Sequence, residues 1–370
     1  MKELTNLNGE QIMTGNQLAF KLFSVLRKPG QNIFFSPLSI EMALCMLYNG
    51  ASGKNKAEME ILLGIQDSNL SVINSANAEL IRQLNIEGSK AQMNIANSLW
   101  TNELVSINPS FIDILAASYS AEVFNTLHPD AINAWVKEKT FGMIPKIIDS
   151  IDSQTLLAIV NAIYFRGSWV KPFSVLNTKN LSFTLSNGSE KILPMMFQSG
   201  KYQYTEGENY RAIALPYSKC ETSMVVILPD IGQDPANVAV TNWADVMQQF
   251  ASPRARMREG RILLPKFKCE YEETLNDALI ALGMQSAFIS NKNCFDGIAS
   301  NLYLSLVKHK AGIEVNEEGT AAYAATIAVV AKSLSANMPF QMVVDHPFFV
   351  AIVDNSTKKI LFMGTIEDPQ

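Results

Sequence analysis

The run Thr155, Leu156, Leu157, Ala158, Ile159, Val160, Asn161, Ala162, Ile163, Tyr164, Phe165 is apolar almost without interruption. It reads as a strand, and a strand that does not alternate polar with apolar must be covered on both faces. Such a strand requires a sheet with a packed layer on either side. With 370 residues, 48% of them hydrophobic, the chain is long enough to bury one.

The elements around that strand follow an order. Apolar stripes predict helices near 18–26, where Pro29 and Gly30 end the pattern, and 40–48, ended at Gly50. Further helices are expected at 56–63, 70–84, 109–118 and 130–141, with a strand at 91–100. From about residue 180 short strand-like runs dominate, at 180–185, 191–197, 210–217, 222–228, 261–270, 302–315, 340–344, 347–354 and 359–366. One helix is expected among them, 272–282, with Leu275, Ala278, Leu279 and Leu282 on one face. Helices first and strands later give an α+β class with large sheets. No linker composition, repeat or charge block divides the chain, so residues 1–370 read as one domain.

Several chemistries lack their residues. The three histidines, His128, His309 and His346, stand in unlike contexts without metal-ligand spacing, and no GxSxG elbow presents a serine. Neither a metal nor another cofactor is implied. Gly50, Ala51, Ser52, Gly53, Lys54 and Asn55 have the wrong spacing for a phosphate loop, and Asn55 stands where a magnesium-binding hydroxyl is needed; a turn between helices fits better. Cys45, Cys220, Cys269 and Cys294 are far apart and form no CxxC pair. A net charge of −5 argues against nucleic acid, and Arg254, Arg256, Arg258 and Arg261 make only a local basic face. No run is long enough for a membrane span and none resembles a signal peptide. The compartment stays open: extracellular or periplasmic for a processed mature chain, cytoplasmic for a chain complete as given.

One segment has a double character. Glu317, Glu318 and Gly319 suit an exposed hinge, yet Thr320, Ala321, Ala322, Tyr323, Ala324, Ala325 and Thr326 are mostly small and lead into Ile327, Ala328, Val329, Val330 and Ala331. Periodicity leaves open a buried helix or strand and a segment that acts as a conformational switch.

Further segments, taken in order, resemble the serpin family of antitrypsin-type serine-protease inhibitors over nearly the whole chain. Asn32, Ile33, Phe34, Phe35, Ser36, Pro37, Leu38, Ser39 and Ile40 resemble the start of the family's helix B. Asn161, Ala162, Ile163, Tyr164, Phe165, Arg166, Gly167, Ser168 and Trp169 resemble its central strand and the turn after it. Leu263, Leu264, Pro265, Lys266 and Phe267 are similar to another family strand; His346, Pro347, Phe348 and Phe349, with Leu361, Phe362, Met363 and Gly364, resemble the closing strand pair. The hinge at 317–326 completes the series.

The resemblance implies a serpin fold: a five-stranded central sheet, two smaller sheets, eight or nine helices and an exposed reactive-centre loop at 317–338. It also implies a metastable suicide inhibitor, in which cleavage of the loop frees its upstream arm to enter the central sheet, a large conformational change. Strand alternation tests the arm: Thr320, Ala322, Ala324, Thr326, Ala328 and Val330 form one uncharged set, and Tyr323 falls on the other, which the family turns outward. Residues 320–330 are thus expected outside before cleavage and inside afterwards. By motif, Ser36, Ser39, Asn161 and His309 match the family's shutter, and Trp169 matches the breach, where Lys266 pairs with Glu317.

Family spacing from Gly319 puts the reactive bond between Ser333 and Leu334, with Lys332–Ser333 as the alternative, so the target is a trypsin-, elastase- or subtilisin-like serine protease. Ala321 and Tyr323 depart from the inhibitory pattern and keep a non-inhibitory carrier or chaperone as the second possibility. Residues 66–85 hold only Arg82 as a basic group, so heparin activation is not expected. The expected state is a monomer, and not an enzyme.

Overall fold

The computed structural model describes Met13 and residues 15–66, 68–84, 91–218, 220–252, 257–290, 293–320 and 339–370. In chain order come α1 (Gln17–Leu26), β1 (Ile33–Phe35), α2 (Pro37–Tyr48), α3 (Gly53–Leu63), α4 (Leu70–Leu84), β2 (Ala91–Thr101), α5 (Pro109–Tyr119), β3 (Glu122–Phe124), α6 (Pro129–Lys139) and β4 (Leu157–Ser168). Next are β5 (Lys179–Thr184), β6 (Glu190–Glu206), β7 (Tyr210–Pro216), β8 (Thr222–Pro229), α7 (Pro235–Ala251), β9 (Arg258–Pro265), β10 (Phe267–Thr274) and α8 (Asn276–Ala281). The chain closes with β11 (Leu306–Val315), β12 (Gly319–Thr320), β13 (Phe340–Val343), β14 (Phe348–Asp354) and β15 (Ile360–Ile366).

The doubly buried strand is β4, at the middle of the central sheet, whose order is β10-β11-β12-β4-β2-β3. Leu157, Ile159, Ile163 and Phe165 face the main core with α2, while Ala158, Val160 and Ala162 pack under Ile132, Trp135 and Val136 of α6 in a second core. Burying each of those three α6 side chains contributes about 1.5–3 kcal/mol, which holds the helix across the sheet. Strands β4 and β11 pair directly and in parallel from Ala158 opposite Leu306 to Tyr164 opposite Gly312. Beyond that point β12 wedges between them, with Thr320 opposite both Val315 and Gly167.

The remaining strands form a second, nine-stranded assembly in which β6 belongs to two parts. Its first residues pair with β5 and β9, and its last with β7. The two smaller sheets expected from the resemblance therefore share a strand. Eight α-helices lie among the described residues.

Three expectations are corrected. The helix α7 lies within the stretch expected to be dominated by strands; Asp234 caps it, its side chain accepting from the Ala236 N–H at 3.0 Å, and Pro235 opens the first turn. The expected strand at 261–270 is two strands parted at Lys266, because β9 joins the smaller sheets and β10 the central one. The expected helix at 272–282 begins only at Asn276, since β10 keeps its ladder with β11 as far as Thr274 opposite Lys308.

Candidate functional site: a polar row and a wedged hinge in the central sheet

Because β2, β4 and β11 are in register, Asn97, Asn161 and His309 stand side by side across three strands. All three point to the α2 side of the sheet, the face of Leu99, Ile159 and Val307. Above them the chain turns from β1 into α2 at Ser36, whose Oγ accepts from the Ser39 N–H at 3.1 Å and caps the helix. The same hydroxyl donates to the Leu361 carbonyl at 2.6 Å. Asn161 Nδ2 donates to Asn97 Oδ1 at 2.6 Å and to Ser39 Oγ at 2.5 Å. The Ser36 N–H donates to His309 Nε2 at 3.3 Å, which leaves Nδ1–H to donate to Asn161 Oδ1 at 2.5 Å. That tautomer is neutral. Burial, which penalises the charged ring, pushes the His309 pKa down to about 3, and protonating Nε2 would besides set an N–H against the Ser36 N–H. These buried bonds hold β4 and β11 together, although Asn97 Nδ2 at the edge of the row has no partner among the described residues, and parting the strands breaks the row at its middle.

At the upper end of the same seam lies the hinge. Gly319 has φ +155°, and a Cβ there would sit 2.0 Å from the Gly167 carbonyl oxygen, so only glycine lets the chain pass β4 this closely. Thr320 is fully buried, its hydroxyl 2.7 Å from the Tyr217 hydroxyl. The expectation that Thr320 is external before cleavage is thus overturned: it already forms a rung of the sheet. Its side chain points inward, as the alternation argument required of that position. Reactive-bond residues Lys332, Ser333 and Leu334, and hinge residues Ala321, Ala322, Tyr323, Ala324, Ala325 and Thr326, lie outside the described residues.

Backbone bonds tie the chain before Gly319 to the turn after β4. The Trp169 N–H donates to Glu318 O at 2.9 Å, the Phe173 N–H to Glu317 O at 2.7 Å, and the Trp169 indole to Asn316 O at 3.0 Å. The Trp169 ring stacks on Tyr217 with centroids 4.6 Å apart. Lys266 Nζ meets Glu317 Oε2 at 3.0 Å, and the Thr178 hydroxyl donates to Oε1 at 2.7 Å. Burial would raise the Glu317 pKa, but the bonds from Thr178 and Lys266 outweigh it and hold the carboxyl below its ordinary value.

All ten described site residues expected from the sequence come together at these two places: Ser36, Ser39, Asn161 and His309 in the row, and Trp169, Lys266, Glu317, Glu318, Gly319 and Thr320 at the hinge. Sequence reasoning missed Asn97, Thr178 and Tyr217. Asn97 had a signal, being an amide in the middle of an expected strand. Tyr217 and Thr178 had none, because their partners are 103 and 139 residues away. Among the described residues no group of histidines, cysteines and carboxylates is placed to hold a metal ion.

Comparison with known proteins agrees with this geometry. The family model described as serpin (serine protease inhibitor) matches residues 13–369. A leukocyte elastase inhibitor from Bos taurus is 36% identical over 97% of this chain and 100% of its own length. The native-state structure of the thermophilic serpin tengpin superposes with a TM-score of 0.88 at 31% identity, covering 98% of this chain and 95% of that one. Human thyroxine-binding globulin in complex with thyroxine gives 0.83 at 27% identity, covering 98% and 99%. By the family match and the bovine relative, this chain belongs to the serpin family.

Proposed function

We propose that the chain is an irreversible suicide inhibitor of serine proteases, acting by insertion of its cleaved loop between β4 and β11. The observation that carries this reading is Thr320: it already occupies the mouth of that seam, side chain inward and hydrogen-bonded. Continued by insertion, that register would set Ala322, Ala324, Thr326, Ala328 and Val330, all small or β-branched, on the inward face and turn Tyr323 outward. A protease serine attacks the Ser333 carbonyl, forms an ester there and expels Leu334 as a new amino terminus. The freed arm then continues the strand that Thr320 has begun, trading the direct β4–β11 pairs for two new ladders. In this scheme the row around His309 is the latch that opens, and the contacts at Trp169 and Lys266 hold the hinge until cleavage. The partner is one trypsin-, elastase- or subtilisin-like protease per monomer, with Lys332–Ser333 as the alternative bond.

Incubation with trypsin, elastase and subtilisin tests this reading. A covalent complex that survives SDS is expected, with mass spectrometry placing the ester on Ser333. Clean loop cleavage by all three proteases without any complex sinks it. That outcome would favour the second reading, a non-inhibitory carrier, for which Ala321 and Tyr323 and the similarity to a thyroxine-binding globulin speak.

A further inference from the structure

Beside the turn that follows β4 lies a cavity of about 310 Å³, at the small end of the range for ligand sites. Trp169, Phe173, Tyr202, Ala214, Leu215 and Pro216 give it an apolar, largely aromatic wall. The one buried amide in that wall is already committed. Gln198 Nε2 donates to the Lys171 and Pro172 carbonyls at 2.8 and 2.9 Å, and its Oε1 accepts from the Tyr202 hydroxyl at 2.7 Å. An occupant therefore has to offer the wall nothing polar.

Two cations line the same cavity, Lys171 and Lys201. Lys201 is loosely paired with Glu259 at 3.7 Å, whereas Lys171 Nζ donates to the Ser199 carbonyl and has no carboxylate within ion-pair distance among the described residues. Apolar walls with uncompensated positive charge select an amphipathic anion. Aromatic walls and modest volume favour a small ring system over a long acyl chain.

We propose that this cavity binds a two-ring aromatic monocarboxylate, its rings against Trp169 and Phe173 and its carboxylate on Lys171 and Lys201, and that occupancy restrains the hinge. Coupling follows from shared residues. The backbone N–H groups of Trp169 and Phe173 hold the carbonyls of Glu318 and Glu317, and the Trp169 indole holds that of Asn316. A ligand that packs on these two rings resists any movement that lets those carbonyls go. Neither binding nor coupling depends on protease inhibition.

The test is calorimetric titration with 2-naphthoate, alongside hydrogen exchange of the intact chain. One saturable site is expected, abolished in Ala214→Phe, where the new ring fills the cavity. The Lys171→Gln/Lys201→Gln double variant, which alters only the rim, should bind about tenfold more weakly, as should neutral 2-naphthamide to the unaltered protein. Amides at 169–173 should exchange several-fold more slowly with ligand bound. Absence of saturable binding, or binding to Ala214→Phe at unaltered affinity, overturns the site. Equal affinity for the amide, or for the double variant, overturns the carboxylate's placement, and unchanged exchange at 169–173 overturns the coupling.

Discussion

His309 ties the sheet to solution pH although no water reaches it. Its ring must stay neutral to accept from Ser36, so the folded state resists protonation down to about pH 3, whereas the unfolded chain takes up the proton near 6.5. The unfolded state then binds more protons throughout that window, so this contribution is complete above pH 6.5 and is lost as pH falls toward 3. Between pH 7 and 5 the loss from this residue should be about 2 kcal/mol, read as a lower urea midpoint, and His309→Gln should flatten that part of the pH profile. At the hinge, Glu317 is nearly buried while Lys266 is over a third exposed, so the two partners are not equivalent. Lys266→Ala should cost about 1 kcal/mol, and Glu317→Gln somewhat more, because Thr178 also depends on that carboxylate. Both should speed exchange of the Trp169 and Phe173 amides. Gly319→Ala should act more strongly, expelling Thr320 from the sheet, and loss of Thr320 from the β4–β11 seam in a crystal structure would show it.

Element scale explains both what the residue patterns reached and what they missed. β4 was legible because a run without alternation has only one place to go, the middle of a covered sheet. α7 was not found, although its signals were present: Asp234 and Pro235 as cap and first turn, then Ala239, Trp243, Val246, Met247 and Phe250 at helical spacing. A strand-rich neighbourhood outweighed them. Asp234→Ala should therefore cost about 1 kcal/mol through the cap, with the Arg27–Asp234 ion pair lost besides, seen as a lower urea midpoint. The end of β10 departs from the expected helix for the opposite reason, since Leu275, Ala278, Leu279 and Leu282 do make a stripe but Phe267, Cys269 and Tyr271 alternate ahead of it, and the ladder with β11 prevails. Ser36 serves two elements at once, capping α2 and bonding to β15 through the Leu361 carbonyl. Ser36→Ala should cost about 2–3 kcal/mol, more than a surface cap, because it leaves buried groups unpaired. Urea unfolding checks this.

For the whole molecule, the decisive property is that the central sheet is closed along most of the β4–β11 seam and already parted at one end. If the proposed insertion occurs, cleavage of the loop adds a full strand there. About ten new ladder bonds at ~1 kcal/mol each are nearly cancelled by ordering the arm at ~1–2 kcal/mol per residue, so the rise in thermal midpoint expected on cleavage has to come from strain released in the uncleaved fold. An unchanged midpoint after cleavage would argue for the carrier reading. Burial of both faces of β4 makes this sheet the axis of the molecule, with α6 on one side and α2 on the other, so strand separation is felt by both cores.

The sequence by itself determined the α+β class, the central strand, the family and the places of the polar row and the hinge, because each is carried by local composition or by a short motif. Only the tertiary structure decided that Asn97, Asn161 and His309 form one row, that Tyr217 holds Thr320, and that the hinge has entered the sheet. Those facts depend on strand register and on partners 64 to 148 residues apart, which no local pattern encodes.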